Sequence, residues 1–152
     1  MLISHVSRGG NMLLNVGPTS RGQFDRRARE RLDGLAEWME TNARSIHGCG
    51  LSPDWAKEPE HCRYTYNAER KRLYLHCFVW PYATVRLENL AGRLFHAQLL
   101  SDGSEIKFHE AGTDVVLELH GRTKMNQITV PRPTMMRPDE AVPVIELILK
   151  TP

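Results

Sequence analysis

The fold is decided by the stretch Ser7-Arg8-Gly9-Gly10-Asn11-Met12-Leu13-Leu14-Asn15-Val16-Gly17-Pro18. Its apolar run at 11–16 lies between a Gly-Gly pair and a Gly-Pro pair. A short apolar run bounded by such breakers is typical of a strand buried on both faces, as in parallel sheets. We therefore predict a buried strand at 11–16, with the first residues of the chain already inside a sheet element.

A helix is predicted after the polar loop at 19–23. Apolar residues recur there at steps of three and four, which places them in one stripe along a helix: Phe24, Ala28, Leu32, Leu35, Trp38, Met39, Ala43 and Ile46. Asp25 is suited to cap the first amides, and the helix is expected to end near 42–44, before Gly48 and Gly50. Strand, loop and helix make half of a βαβ unit, and no parallel partner strand follows.

Composition excludes several classes of protein. The chain has 152 residues, of which 41% are hydrophobic and 25% are charged, as in ordinary globular domains. A net charge of +2 and the lack of an apolar run near 18 residues lead us to expect no nucleic-acid partner and no membrane partner. Residues 1–6 are too short and too polar for a signal peptide, so either the protein is cytosolic or its true N-terminus lies elsewhere. The start inside a candidate sheet element favours the second interpretation, and the compartment stays unknown.

From residue 61 onward the apolar period changes to two, which predicts an antiparallel sandwich. The candidate strands are 62–66, 73–79, 84–87, 94–100, 105–109, 115–120, 127–130 and 144–149, with turns at 67–72, 101–103 and 121–126. Pro131, Pro133 and Pro138 predict an irregular connection, after which the last strand crosses to close a Greek key. The predicted fold class is α+β: a strand–helix unit at 1–50, a linker at 51–60 and a sandwich of seven or eight strands at 61–152.

The cysteines are odd in number, so Cys49, Cys62 and Cys77 allow at most one disulfide. A histidine lies beside or near each of them, which raises a zinc site as an alternative. Adjacent residues on a strand point to opposite faces, however, so a His-Cys pair does not chelate one ion. We expect structural side chains, no metal and no cofactor.

Two residues have a position suited to function. Asn15 and Gly17 end the predicted strand, and ligands of parallel α/β folds bind beyond the carboxyl ends of strands. Asn15 is expected to be a buried amide that either satisfies backbone groups or lies at the periphery of a substrate pocket. Gly9 and Gly10 precede the strand instead of following it, which argues against a phosphate loop, and no serine lies in a nucleophile elbow. The sequence offers no complete active site.

Aromatic residues of the second half provide an alternative function, a non-catalytic carbohydrate-binding or structural module. Sugars stack on exposed aromatic faces, and the candidates are Tyr64, Tyr66, Tyr74, Trp80 and Tyr82. The first three are expected to share one strand face across a hairpin, where such a row also suits a core. Trp55, in the linker, is expected to anchor packing.

The opening stretch resembles the closing segment of the catalytic barrel of α-L-fucosidases of glycoside hydrolase family 29. In that family a Val-Ser-Lys-x-Gly-Asn-x-Leu-Leu-Asn-x-Gly-Pro motif precedes a helix carrying Trp and then Asn-Gly-Glu-Ala-Ile-Tyr-Gly. Trp38 and the run Asn42-Ala43-Arg44-Ser45-Ile46-His47-Gly48 match it, with Ala43-Arg44 and His47 in place of Gly-Glu and Tyr. Phe78-Val79-Trp80-Pro81 and Leu99-Leu100-Ser101-Asp102-Gly103 are similar to the family's C-terminal sandwich.

The resemblance implies the end of a (β/α) barrel at 1–50 and an accessory sandwich at 61–152. It also implies a retaining hydrolase of terminal α-L-fucosyl residues that uses two carboxylates. In the family these carboxylates and the sugar-binding histidines lie upstream of the matching segment, so no catalytic residue is assigned here and the isolated chain is expected to be inactive. The implied partner is a fucosylated glycan, bound by the complete enzyme. The unpaired strand at 11–16 is expected to make the isolated chain self-associate.

Overall fold

The computed structural model describes residues 1–119, 121–125, 128–132 and 141–150. Helix α1 spans Leu2–Val6, and helix α2 spans Arg26–Asn42 and continues into a 3-10 turn at Ala43–Ser45. The strands are β1 Cys62–Asn67, β2 Arg72–Cys77, β3 Thr84–Leu87, β4 Leu94–Leu99, β5 Lys107–Ala111, β6 Asp114–Glu118, β7 Gly121–Met125, β8 Ile128–Arg132 and β9 Val144–Leu149. No helix in these ranges has the length and apolar character needed to span a membrane.

Two antiparallel sheets form a sandwich, as the period of two predicts. One sheet has the order β1-β2-β9-β4 and the other β3-β6-β5, while β7 and β8 pair separately. Alternate side chains of both sheets fill a single core. Its fully buried leucines and isoleucines are Leu73, Leu75, Leu87, Leu90, Leu94, Ile106, Leu117, Leu119, Ile145 and Leu147.

The sandwich confirms most of the predicted strands. The bounds of β3 and β9 are those predicted, and a turn follows β4 at Asp102-Gly103, where Gly103 has a φ of 71°. The Asp102 carboxylate accepts the Ser104 amide at 2.8 Å, the usual role of Asp in a turn. As predicted, the last strand crosses over, and it lies between β2 and β4.

The predicted turn at 121–126 is wrong. Gly121–Met125 forms β7, which pairs with Ile128–Arg132 in antiparallel register, with Arg122 opposite Pro131. The polar character of this stretch suggested a turn, but pairing with a neighbouring strand decides the conformation. His120, Gln127, Pro133 and Pro138, which belong to predicted elements or connections, lie outside the described residues.

The opening of the chain also departs from prediction. Residues 2–6 form the short helix α1, whose Ile3 is buried, and not a sheet element. Residues 11–16 form no strand, and Leu13 is 94% exposed and Leu14 45% exposed. A strand needs partners for its amides and for both faces, and the described residues provide none for this run.

Helix α2 begins and ends as predicted. Asp25 is the N-cap, and its carboxylate accepts the Ala28 amide at 2.7 Å. The helix ends at Asn42, followed by Gly48 in the left-handed region at a φ of 71°. The first half of the helix remains largely exposed, because only its end lies against the sandwich.

The segment at 51–60 is attached to the sandwich. Lys57 bridges Glu88, and Ala56 lies in the core. Trp55 packs against that core, as predicted, and the Arg93 guanidinium lies 4.7 Å from its ring centroid.

Candidate functional site

Polar groups concentrate on the outer face of the four-stranded sheet, where the end of α2 covers it. Strand alternation sends Leu73 and Leu75 of β2 into the core and turns Tyr74 and His76 outward. Val144 and Glu146 of β9 share this outer face. We refer to the contact of Trp38, Arg44 and Ser45 with Thr65, Tyr74, His76, Gln98 and Glu146 as the helix–sheet interface.

Glu146 is the centre of this interface, and its side chain is 6% exposed. Its Oε2 atom accepts Gln98 Nε2 at 2.6 Å and lies 3.3 Å from Arg44 Nη2. Its Oε1 atom accepts the Tyr74 hydroxyl at 3.3 Å and lies 3.5 Å from Arg72 Nε. A buried carboxylate is stable only when its oxygens are engaged in this way.

A second polar chain runs through His76, which is completely buried. The Thr65 hydroxyl donates to the Ser45 carbonyl at 2.6 Å, so it accepts from His76 Nε2 at 2.9 Å. The Nε2 atom of His76 therefore carries a proton. Burial lowers the pKa of His76 from 6.5 to about 3, which agrees with a neutral ring.

Trp38 connects the helix to the sheet. Its Nε1 atom donates to the Val142 carbonyl at 2.9 Å, and its ring centroid lies 6.2 Å from that of His76. Both contacts join residues far apart in sequence, so the end of α2 is held in one position.

The side chains of the helix–sheet interface are suited to attaching α2 to the four-stranded sheet. Both Glu146 oxygens are occupied, His76 is buried and neutral, and burial followed by the Glu146 charge raises the pKa of Tyr74 to about 12. Neither His76 nor Tyr74 is poised to exchange a proton near neutral pH. The interface therefore joins a helix to a sandwich.

The predicted site residues lie elsewhere. Asn15 is exposed and not the buried amide that we expected, because the strand around it does not form. Gly17 is also exposed, with no atom within 4 Å of the position of an added Cβ. Their place at the periphery of a substrate pocket therefore stays a prediction.

The predicted shared tyrosine face is wrong. Tyr64 pairs with Leu75 and faces the core, whereas Tyr74 pairs with Thr65 and lies on the outer face. Tyr64 is buried, and Tyr66 and Trp80 pack against the core, whereas Tyr82 is 85% exposed. These five side chains thus form no row of aromatic faces for a sugar.

Among the described residues, no group of three or more His, Cys, Asp or Glu side chains is placed to hold a metal ion. All three cysteines are free: Cys49 is half-buried, and Cys62 and Cys77 are buried. Burial raises the pKa of the Cys49 thiol to about 11.

Sequence reasoning missed the helix–sheet interface. Its signal was present in β9, where Glu146 interrupts the apolar run Val144-Ile145-Glu146-Leu147-Ile148-Leu149. An acid inside an apolar strand requires buried partners. Those partners come from three separate segments, the 3-10 turn after α2, β2 and β4, so the sequence shows that partners are needed but not which residues they are.

The fold and this interface define a class of structure, a β-sandwich to which a preceding helix is attached. A sequence model described as Alpha-L-fucosidase matches residues 1–44. Plasma alpha-L-fucosidase of Rattus norvegicus is 30% identical over 125 residues, which are 80% of this chain and 23% of the relative. Tissue alpha-L-fucosidase of Bos taurus is 34% identical over 80 residues, which are 53% of this chain and 16% of the relative.

Solved structures give the same result over nearly the whole chain. Alpha-L-fucosidase isoenzyme 1 from Paenibacillus thiaminolyticus has a TM-score of 0.78 and 32% identity, covering 98% of this chain and 33% of that one. The Thermotoga maritima alpha-fucosidase, solved in complex with fucose, has a TM-score of 0.70 and 25% identity, covering 96% and 32%. The chain belongs to the α-L-fucosidase family, glycoside hydrolase family 29, and spans about a third or less of these relatives.

Proposed function

We propose that this chain is the C-terminal portion of an α-L-fucosidase, a retaining glycosidase that hydrolyses terminal α-L-fucosyl residues of glycans. Residues 1–50 supply the last strand and helix of the catalytic barrel, 51–60 link them to the rest, and 61–152 form the accessory sandwich. The two catalytic carboxylates of this reaction belong to parts of the enzyme outside this chain.

The observation that carries the proposal is the exposed apolar run at 11–16. Leu13 and Leu14 lie in water in the isolated chain, and they fall within residues 1–44, which the family model matches. An apolar run costs free energy when exposed and gains it when covered, at about 25 cal/mol per Å². Neighbouring strands of a barrel would cover both faces of this run and pair its amides.

The helix–sheet interface supports the same division of roles. Arg44, just after α2, reaches the buried Glu146 of β9, and Trp38 of α2 reaches Val142. The sandwich thus holds the last barrel helix from outside, which fixes the position of the strand before it. Asn15 and Gly17, at the end of that strand, then lie at the periphery of the fucose pocket.

A chimera tests the proposal directly. The third of the Paenibacillus thiaminolyticus enzyme that this chain covers is replaced by this chain, and hydrolysis of an aryl α-L-fucoside is measured. We expect measurable activity from the chimera and none above background from the isolated chain. A folded but inactive chimera, or an active isolated chain, contradicts the proposal.

Matched substitutions in the chimera locate the effect. Leu13→Asp places a charge on the run that the barrel must bury, so activity is expected to fall at least tenfold. Tyr82→Asp makes the same kind of change at a similarly exposed sandwich residue and is expected to have little effect. Equal losses from both substitutions would show that 11–16 has no special role.

We also propose that the isolated chain self-associates through 11–16, since an uncovered apolar run is an interaction site. Deleting residues 1–22 also removes Ile3 and Ser7, which are buried. The sharper test is the double substitution Leu13→Ser and Leu14→Ser, followed by sedimentation over a range of concentrations. The unsubstituted chain is expected to form larger species and the variant to remain monomeric. An unsubstituted chain that stays monomeric at high concentration refutes this.

A further inference from the structure

Two buried cysteines face each other at the edge of the sandwich. Cys62 is the first residue of β1 and Cys77 is the last residue of β2, and the antiparallel register pairs them directly. Both project into the core, with exposures of 2% and 1%. Fifteen positions separate them in the chain, yet they meet across the open end of one hairpin.

The hydrogen bonds around this pair show which kind of cross-strand position it occupies. The Phe78 amide donates to the His61 carbonyl at 3.0 Å, while the Cys77 amide donates to the Pro143 carbonyl and the Cys62 amide to the Pro59 carbonyl. Cys62 and Cys77 therefore exchange no backbone hydrogen bond and form what is called a non-hydrogen-bonded pair of the antiparallel ladder. In such a pair the Cα atoms lie about 4.5 Å apart and the side chains are closest. That separation lies within the range that disulfides span, about 4.4–6.8 Å.

We propose that Cys62 and Cys77 are an oxidation site of this protein, which forms an intramolecular cross-strand disulfide with a low-molecular-weight disulfide as the oxidant. Cys49, beyond the 3-10 turn and half-buried, remains outside this bond. Neither the helix–sheet interface nor the proposed glycosidase function uses this pair of thiols.

The proposed oxidation consists of two successive thiol–disulfide exchanges. The Cys62 thiolate attacks one sulfur of oxidised glutathione, forms a mixed disulfide and releases one glutathione thiolate. The Cys77 thiolate then attacks the Cys62 sulfur and releases the second glutathione. The two protons lost by the cysteines are taken up by the two released thiolates, so the cysteines are oxidised and one glutathione disulfide is reduced to two thiols.

The surroundings favour Cys62 as the first nucleophile. A hydrogen bond from the Cys77 thiol lowers the pKa of Cys62, and the same hydrogen bond, followed by burial, raises the pKa of Cys77. β1 is an edge strand and Cys62 is its first residue, so only the end of one strand has to separate to admit the oxidant.

The test uses the full chain, refolded and brought to equilibrium in buffers of reduced and oxidised glutathione. Free thiols are then blocked with N-ethylmaleimide in denaturant. Trypsin separates the cysteines into peptides 45–57, 58–63 and 73–86, one in each. We expect 58–63 linked to 73–86 under oxidising buffer, with that link lost under excess reduced glutathione. Cys62 and Cys77 both labelled in every buffer, or a link involving Cys49, overturns the proposal.

Variants and a stability measurement complete the test. Cys49→Ser is expected to keep the link, whereas Cys62→Ala and Cys77→Ala each abolish it and create no link to Cys49. The linked chain is expected to melt roughly 5 °C or more above the reduced chain, because the bond restricts the unfolded state. Cys62→Ala is expected to melt at the same temperature in both buffers. A linked chain that melts below the reduced chain would show that this pair does not accommodate the bond.

Discussion

The sandwich and the opening segment, defined here as residues 7–24, contain similar apolar residues with opposite outcomes. Leu75, Leu117 and Leu147 of the sandwich are completely buried in one core. Leu13 and Leu14 of the opening segment face solvent, although their run at 11–16 is as apolar as strand β2. The difference is that the sandwich brings its own covering sheet, and the opening segment depends on a surface that the described residues do not provide. An apolar pattern thus shows which residues must be buried, but it does not show which part of the protein buries them.

The largest expected effect comes from one substitution made in both regions. Leu147→Ala removes a fully buried side chain between two sheets and is expected to lower the free energy of unfolding by about 2–5 kcal/mol. Leu13→Ala, at a side chain in water, is expected to change it by less than about 0.5 kcal/mol. Urea unfolding of both variants measures this, and comparable losses would break the comparison.

The next effect lies at the helix–sheet interface and depends on pH. The pKa of His76 is about 3 in the folded chain, against 6.5 for a histidine ring in water. Between these values the unfolded chain binds a proton that the folded chain does not, so stability falls as the pH decreases. We expect His76 to reduce the free energy of unfolding by roughly 3 kcal/mol between pH 7 and pH 4.

Urea unfolding at pH 7, 5.5 and 4 checks this expectation against two variants. His76→Gln keeps a donor for Thr65 and removes the titrating ring, so its stability is expected to decrease much less on acidification. His47→Gln removes an exposed histidine and is expected to behave like the original chain. Equal pH dependence of all three would mean that His76 is not buried as a neutral ring.

A smaller effect is expected from Arg44→Glu. The change places a second carboxylate beside the buried Glu146, in place of a guanidinium 3.3 Å away. Because Arg44 is about half exposed, water reduces the effect, and we expect a loss of about 1–2 kcal/mol. Arg70→Glu, a charge reversal at an exposed residue, is the control and is expected to cost less than about 0.5 kcal/mol. If Arg44→Glu left the free energy of unfolding unchanged, Arg44 would have no part in attaching α2 to the sandwich.

The smallest effect concerns the exposed part of α2. Gly34 lies inside the helix with no atom within 4 Å of an added Cβ, and its φ is not positive. Gly34→Ala is therefore expected to stabilise the chain by about 0.5–1 kcal/mol, because it reduces the freedom of the unfolded state. Thermal unfolding and helix content by circular dichroism measure this. In the chimera, a loss of activity from the same substitution would show that the barrel approaches the helix closely there.

Features that depend on residues close together in the chain were predicted most reliably from the sequence. The Asp25 cap, the end of α2 at Asn42 and the bounds of β3 and β9 depend on residues close in the chain, and the predictions agree with the structure. A cap needs only the amides that follow it, and an alternating strand carries its own two faces.

The wrong predictions share a cause, which is dependence on partners distant in sequence. Residues 11–16 have a strand's composition without a strand's neighbours, and 121–125 have a turn's composition but pair with β8. The register of β1 against β2 separates Tyr64 from Tyr74, a result fixed by the hairpin geometry and not by spacing. The partners of Glu146 could not be predicted from the sequence, because they also lie far from it in the chain.

The central place of β9 in its sheet has a consequence for synthesis. β2 and β4 flank it on either side, so β2 lacks its second neighbour and β4 lacks its neighbour in this sheet until residues 144–149 have left the ribosome. Until then the apolar residues of the earlier strands remain partly uncovered, because their sheet is incomplete. Strand pairing between residues so far apart in sequence is also slow. A nascent chain halted before residue 144 should therefore recruit chaperones more strongly than one that extends past residue 149.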